Sequence, residues 1–172
     1  MADLLAHVLV VYALLTVASW RVDALTPRWV AVGMGGGAIP DLVKVSRLAS
    51  ARTVSEATGM PFSYEPLSAL GGVLVVSGII TVTFARPYWR RAYTVLVAGG
   101  VTSLVVDALR IFADGRSDQW LYPLTWWRPP SPNLYVTSDP RVLGAALVVA
   151  GLVAVVDRRV VRADGDGSAA GG

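Results

Sequence analysis

The sequence contains no cysteine, one histidine and few charged residues, which make up 16% of the chain. Without cysteine the protein has no disulfide, no thiolate metal ligand and no cysteine nucleophile, and nothing about its redox compartment can be inferred. A serine hydrolase is not expected, because a single histidine offers no hydroxyl-histidine-acid order and no nucleophile elbow is present. The net charge of +3 comes almost wholly from arginine at loop edges, so nucleic-acid binding is not expected.

Apolar residues, in contrast, dominate the chain. They make up 54% of it, the mean hydropathy is +0.55, and the charges cluster between apolar runs instead of along them. This composition is more apolar than a soluble domain of this size usually shows. We therefore predict an all-α protein, a polytopic transmembrane helical bundle whose principal partner is the lipid bilayer.

Five apolar stretches are predicted to cross the membrane, since about 20 residues of helix span the hydrocarbon core. They are residues 4–20, 29–43, 67–85, 92–111 and 142–156. The second stretch is short and interrupted by glycine and proline, and whether it crosses or re-enters stays open. The first has no positively charged start and no clear cleavage site, so we expect a retained helix and not a secretory signal.

These stretches form one predicted domain, residues 1–157. A polar tail rich in glycine and alanine, residues 158–172, follows it and is expected to be disordered. Within the domain, residues 114–141 combine three tryptophans, two tyrosines and five prolines. Such a segment is too rigid for a flexible linker and too apolar to extend into water. We expect it to pack at the membrane interface, either as an anchor or as a lid that faces a substrate.

Counting the crossings places six polar residues of interest on the same side of the membrane. They are His7, Asp41, Glu65, Ser68, Ser103 and Asp107. The opposite side carries short, arginine-rich connections, which the positive-inside rule assigns to the cytoplasm. We therefore predict a multi-pass plasma-membrane protein whose N-terminus and polar residues lie outside and whose C-terminus is cytoplasmic.

Asp107 is the most informative of these residues, because an ionisable side chain within an apolar helix is costly and is treated as functional by default. Arg110, three residues on, could neutralise it in a simple ion pair, whereas Ser103, four residues before, lies on the same helix face. His7 is either a packing residue or a ligand, and Asp41 lies at a helix break after a glycine-rich run. Oxygen and imidazole ligands from several helices would suit a divalent metal that activates water.

Five segments of the chain resemble a known family. They are MADLLAHVLVVYAL, GGAIPDLVK, EPLSALGG, GGVTSLVVDAL and YPLTWWRPP, and they span nearly the whole chain in the expected order. Together they are similar to the membrane-bound metal-dependent hydrolases, also called YdjM-like or LexA-regulated, in a haloarchaeal form. The resemblance implies a helical fold related to zinc-dependent phospholipase C and P1-type nucleases.

The resemblance also implies a metal site. By position, His7, Asp41 and Asp107 match the family's ligands, while Ser68 and Ser103 stand where the family usually has histidine. A serine hydroxyl is a poor zinc ligand compared with imidazole. The altered set would therefore bind Zn²⁺ weakly, would suit a harder ion such as Mn²⁺ or Mg²⁺, or would hold no metal.

Three functions remain open at this point. The first is a metal-dependent hydrolase homologue with an altered site, in which metal-activated water would attack a phosphoester or similar bond and Glu65 is the candidate general base. The second is a non-catalytic integral membrane protein with a structural or regulatory role. The third is a small transporter, because the broken second stretch and Asp107 could line a polar path. The sequence identifies neither the substrate nor the oligomeric state.

Overall fold

The computed structural model describes residues 2–136 and 139–169, and the side chains of residues 4–136 and 139–159. Within this part of the chain the backbone forms α-helices and 3₁₀ turns but no β-strand, so the predicted all-α class is confirmed. The α-helices are α1 (Ala2–Ser19), α2 (Pro27–Gly37), α3 (Ala51–Thr58), α4 (Leu70–Thr81), α5 (Trp89–Ala108) and α6 (Pro140–Ala169).

Each of the five apolar stretches overlaps one α-helix, in chain order α1, α2, α4, α5 and α6, but these helices differ in length. By length and composition, two segments of the described residues could cross a membrane, Arg86–Ala108 and Pro140–Arg159. The apolar parts of α1 and α4 are shorter, and α2 has 11 residues. After α2 the chain continues as a 3₁₀ helix, Pro40–Arg47, because proline has no backbone N–H for an α-helical bond.

The contact between α2 and α5 is the closest in the bundle. Gly36 lies against the backbone of Leu96, and Gly99 lies against the carbonyl of Gly33, so a Cβ atom at Gly36 or Gly99 would collide with backbone. Small residues allow such close approach of helices in a membrane. Helix α5 also packs against α4 and α1, and α1 packs against α6, so α5 and α1 together organise the bundle.

Large apolar side chains lie on the surface of the helices as well as in the core. They are exposed along α1, α4 and α6, among them Leu14, Val75, Ile79, Val82, Leu147, Val148 and Leu152. The core is mostly apolar, with Val11, Val73 and Leu104 among its members, but it also includes the polar side chains of His7, Thr16, Ser77, Thr81 and Ser103. Apolar outward faces are the arrangement that a hydrocarbon solvent favours.

The helix ends collect at two opposite ends of the bundle. At one, which we call the His7 end, His7 and Asp107 line a small space together with Val142 of α6. At the other, the Trp29 end, the Trp29 ring packs between those of Phe84 and Tyr88. By these contacts, α1 and α6 begin at the His7 end, where α5 finishes, and α2 and α5 begin at the Trp29 end, where α4 finishes.

The aromatic segment is folded onto the His7 end. We call residues 114–136 of it the shelf. The backbone N–H groups of Leu70 and Gly71, in the first turn of α4, donate to the carbonyls of Trp120 and Tyr122, each at 2.8 Å. The Ser131 hydroxyl donates to the carbonyls of Arg110 and Ala108, where α5 ends. The shelf therefore supplies hydrogen-bond partners to the ends of two helices.

The polar C-terminal tail begins within α6. The backbone of α6 runs to Ala169 and so includes most of residues 158–172, and the disorder of this tail stays a prediction. The last residues of the predicted tail, 170–172, lie outside the described residues.

Candidate functional site

His7 and Asp107 meet at the His7 end of the bundle, on α1 and α5. His7 is 3% exposed, and its Nε2 atom lies 3.5 Å from Oδ1 of Asp107. The same oxygen is 3.4 Å from a terminal nitrogen of Arg110, one turn further along the chain. One carboxylate oxygen of Asp107 therefore lies between an imidazole and a guanidinium. The structure contains the ion pair with Arg110 that the sequence spacing indicates, and it also brings His7 close to Asp107.

Asp41 has a basic partner of its own. It lies in the first turn of the 3₁₀ helix Pro40–Arg47, and its Oδ1 is 2.6 Å from Nζ of Lys44, three residues on. Its Oδ2 and the Nδ1 of His7 are buried, and neither makes a hydrogen bond within the part of the chain that the structure describes. Lys44 and Arg110 thus neutralise the two carboxylates of the expected ligand set.

The two serines at which the resemblance expects histidine make hydrogen bonds to the backbone. Ser103 is fully buried, and its hydroxyl donates to the carbonyl of Gly37 at 2.7 Å, which joins α5 to the end of α2. The hydroxyl of Ser68 donates to the carbonyl of Glu65 at 2.9 Å within a 3₁₀ turn. Both hydroxyls therefore contribute to local structure.

The residues do not fit a divalent metal well. Over residues 2–136 and 139–169, no three side chains of histidine, cysteine, aspartate or glutamate lie in a group that could hold one. A metal at Asp41 or Asp107 would also have to approach carboxylates that already face an ammonium or a guanidinium. Protein sites for Zn²⁺ and Mg²⁺ need deprotonated ligands whose lone pairs are free.

Glu65 lies in a different place from His7 and Asp107. It lines a cavity of about 410 Å³ between the start of α4 and the shelf. The other residues around it are Ser63, Pro66, Ser68, Ala69, Asp118, Gln119, Tyr122, Trp126 and Arg128. The structure thus does not bring the candidate general base to the expected metal ligands.

Arg110 connects the two places. Its second terminal nitrogen lies 3.8 Å from Oδ2 of Asp118, which lines the larger cavity. The guanidinium also lies over the Phe112 ring, 5.1 Å from its centroid. A chain of ionisable groups therefore runs from buried His7 through Asp107 and Arg110 to the cavity.

A second ion pair holds the shelf beside the cavity. Nη1 of Arg128 is 2.6 Å from Oδ2 of Asp114, and the same guanidinium donates to the carbonyls of Arg116 and Ser117. The backbone N–H of Arg116, followed by the Arg128 side chain, holds the pKa of Asp114 below its ordinary value. This stabilisation is complete above the ordinary aspartate pKa and disappears as the pH falls through the lowered one.

Sequence reasoning missed several of these residues. Lys44 could have been found, because it lies three residues after Asp41 and the same spacing identifies Arg110 as a partner of Asp107. Asp118 and Arg128 had no comparable signal, since their partners depend on how the shelf folds. Neither the family models nor the curated proteins and solved structures that were compared with the chain gave a match.

Proposed function

We propose that this is a non-catalytic integral membrane protein, similar to the membrane-bound metal-dependent hydrolases, in which basic side chains take the place of the metal. The observation that carries the proposal is the pairing of both expected carboxylate ligands, Asp41 with Lys44 and Asp107 with Arg110. Each pair supplies the positive charge that a buried carboxylate needs, without a bound ion.

The energetics favour the basic side chains over a metal. A divalent cation placed beside Asp107 would be repelled by the Arg110 guanidinium, and one beside Asp41 would be repelled by the Lys44 ammonium. Such repulsion is strong where the effective dielectric constant is low. To coordinate a metal, the protein would have to move both basic groups away.

The serines support the same proposal. A hydrolytic metal needs several ligands and an open position for water. Ser103 is fully buried and its hydroxyl donates to the Gly37 carbonyl, and a neutral hydroxyl is a poor ligand for a hydrolytic metal. Glu65 lies in the separate cavity and is poorly placed to activate water beside His7.

The membrane part of the proposal is a five-span bundle with the His7 end outside and the C-terminus in the cytoplasm. Its support is the exposed apolar surface of α1, α4 and α6. The Trp29 end also carries arginine and tryptophan side chains in contact: Arg91 lies over the Trp29 ring, and Arg86 lies over the Trp89 ring. Aromatic residues and cytoplasmic arginines are enriched at this level of membrane proteins.

The first test is the metal content of detergent-purified protein, measured by elemental mass spectrometry after exposure to Zn²⁺, Mn²⁺ and Mg²⁺ and desalting. We expect less than stoichiometric metal in the wild type and no hydrolysis of phosphoesters. The double variant Lys44→Met with Arg110→Met leaves both carboxylates without their cations, so it should retain more metal than the wild type.

The control for this test removes two basic residues far from the carboxylates, Arg21→Met with Arg90→Met, both exposed at the Trp29 end. It should not change the metal content. Stoichiometric metal in the wild type that is lost in both His7→Gln and Asp107→Asn would contradict the proposal and favour an active hydrolase.

A further inference from the structure

We propose that the cavity beside the shelf binds a small organic ammonium ion, either a free amine or the headgroup of a lipid. This proposal does not depend on the absence of catalysis at the His7 end, because the two places are lined by different residues. The cavity beside the shelf has a volume of about 410 Å³, which falls in the range of small-molecule sites in proteins.

The aromatic wall of the cavity suits an organic cation. Tyr122 and Trp126 pack against each other with ring centroids 4.7 Å apart and planes inclined at 56°. Trp126 is 70% exposed, so much of its surface is open to a ligand. Tryptophan and tyrosine faces attract ammonium groups electrostatically, and aromatic pockets recognise quaternary ammonium ligands in this way.

The charge of the cavity has the matching sign. Its ionisable lining consists of Glu65, Asp118 and Arg128. Arg128 already forms an ion pair with Asp114 at 2.6 Å and donates to two backbone carbonyls. Asp118 has only a long contact with Arg110, at 3.8 Å. The Glu65 carboxylate makes no ion pair with the described residues, so the cavity keeps negative charge beside the rings.

Polar side chains of the cavity can form hydrogen bonds with the other polar groups of an ammonium ligand. The cavity is also lined by Ser63, Ser68 and Gln119, whose side chains can bond a hydroxyl or a phosphate oxygen. A hard metal ion binds oxygen ligands, so it would gain little from the aromatic wall, and it would have to lose part of its water shell. An organic ammonium ion matches both the carboxylate and the rings.

The experiment measures binding of choline to the full-length protein in maltoside detergent by isothermal titration calorimetry. The comparison compound is 3,3-dimethyl-1-butanol, which has the shape of choline without its charge. We expect choline to bind saturably. The neutral compound should bind at least about tenfold more weakly. Equal binding of both compounds, or no saturable binding of choline, would overturn the proposal.

Variants identify the cavity as the binding place. Glu65→Gln and Trp126→Ala should each weaken choline binding about tenfold. Their matched controls are Glu56→Gln, an exposed carboxylate on α3, and Trp127→Ala, the neighbouring exposed tryptophan that does not line the cavity. The proposal fails if the controls lose as much affinity as the cavity variants.

A competition experiment then distinguishes the two sources of the ammonium group. Choline binding is measured in nanodiscs of phosphatidylcholine and in nanodiscs of phosphatidylglycerol. Weaker apparent binding in phosphatidylcholine would show that a lipid headgroup occupies the cavity, and equal binding would show that it takes a soluble amine. Both outcomes support an ammonium site.

Discussion

At the scale of single residues, the charged groups of the His7 end fall into two kinds of contact. Asp41–Lys44 and Asp107–Arg110 are separated by three residues in the chain, so sequence spacing alone predicts such pairs. The approach of His7 to Asp107 is different, because it depends on how α1 packs against α5. Counting crossings predicts that the two residues share one end of the bundle, but it cannot predict a distance.

Ser103 lies where α5 packs closely against the end of α2. Its hydroxyl bonds to the Gly37 carbonyl, and a Cβ atom on Gly37 would lie 3.3 Å from that hydroxyl oxygen. The close packing of α2 therefore leaves no space for an imidazole. A serine is the residue that fits the observed helix separation.

We expect Ser103→Ala to lower the free energy of unfolding by about 1 kcal/mol, since it removes a buried hydrogen bond between helices. The control is Thr102→Ala, whose hydroxyl bonds to the Ala98 carbonyl within α5. That carbonyl already accepts a hydrogen bond within the helix, so Thr102→Ala should lower the free energy of unfolding by less. Both variants are denatured in detergent while circular dichroism monitors the unfolding. An equal decrease in the two variants would contradict a tertiary role for Ser103.

At the scale of elements, the positions of the helices could be predicted better than their ends. Apolar runs located α1, α2, α4, α5 and α6, because a helix in lipid must be apolar along its length. The start of α4 at Leu70 could not be predicted, since the groups that satisfy its first N–H bonds come from the distant shelf. The exposed helix α3 was missed, because it belongs to no apolar run.

The α2–α5 contact supports a second prediction. Gly36→Ala would place a Cβ atom against the backbone of Leu96 and should destabilise the protein by about 1–3 kcal/mol. Gly35→Ala, on the same helix, has nothing within 4 Å of the new atom. It should be neutral or stabilise by up to about 1 kcal/mol through helix propensity. Thermal unfolding compares the two, and similar effects would contradict a close α2–α5 contact in the membrane.

At the scale of the whole molecule, the alternation of helix direction determines which loops lie at the same end of the bundle. The loop before α2 belongs to the Trp29 end, while α3 and the shelf follow helices that finish at the His7 end. The fold class and this alternation follow from hydropathy. The cavity does not, because it is formed by residues from two loops that are far apart in the chain.

The absence of cysteine makes this arrangement easy to test. Single cysteines are introduced at exposed positions, Glu56→Cys and Asp118→Cys for the His7 side and Asp23→Cys and Arg90→Cys for the Trp29 side. In intact cells a membrane-impermeant maleimide should label the first two, and the other two only after lysis. Labelling of all four in intact cells would contradict five crossings, and the reverse pattern would invert the proposed orientation.

The bonds from the shelf to α4 have a consequence for the order in which the chain is made. The ribosome releases α4 before it has synthesised Trp120 and Tyr122, whose carbonyls accept from the first turn of that helix. In the proposed membrane bundle, the N–H groups of Leu70 and Gly71 would bond to water at the membrane surface until α5 has been inserted and the shelf has followed. The cavity would therefore be completed late, after the helices beneath it, and a nascent chain that stops at α5 does not contain it.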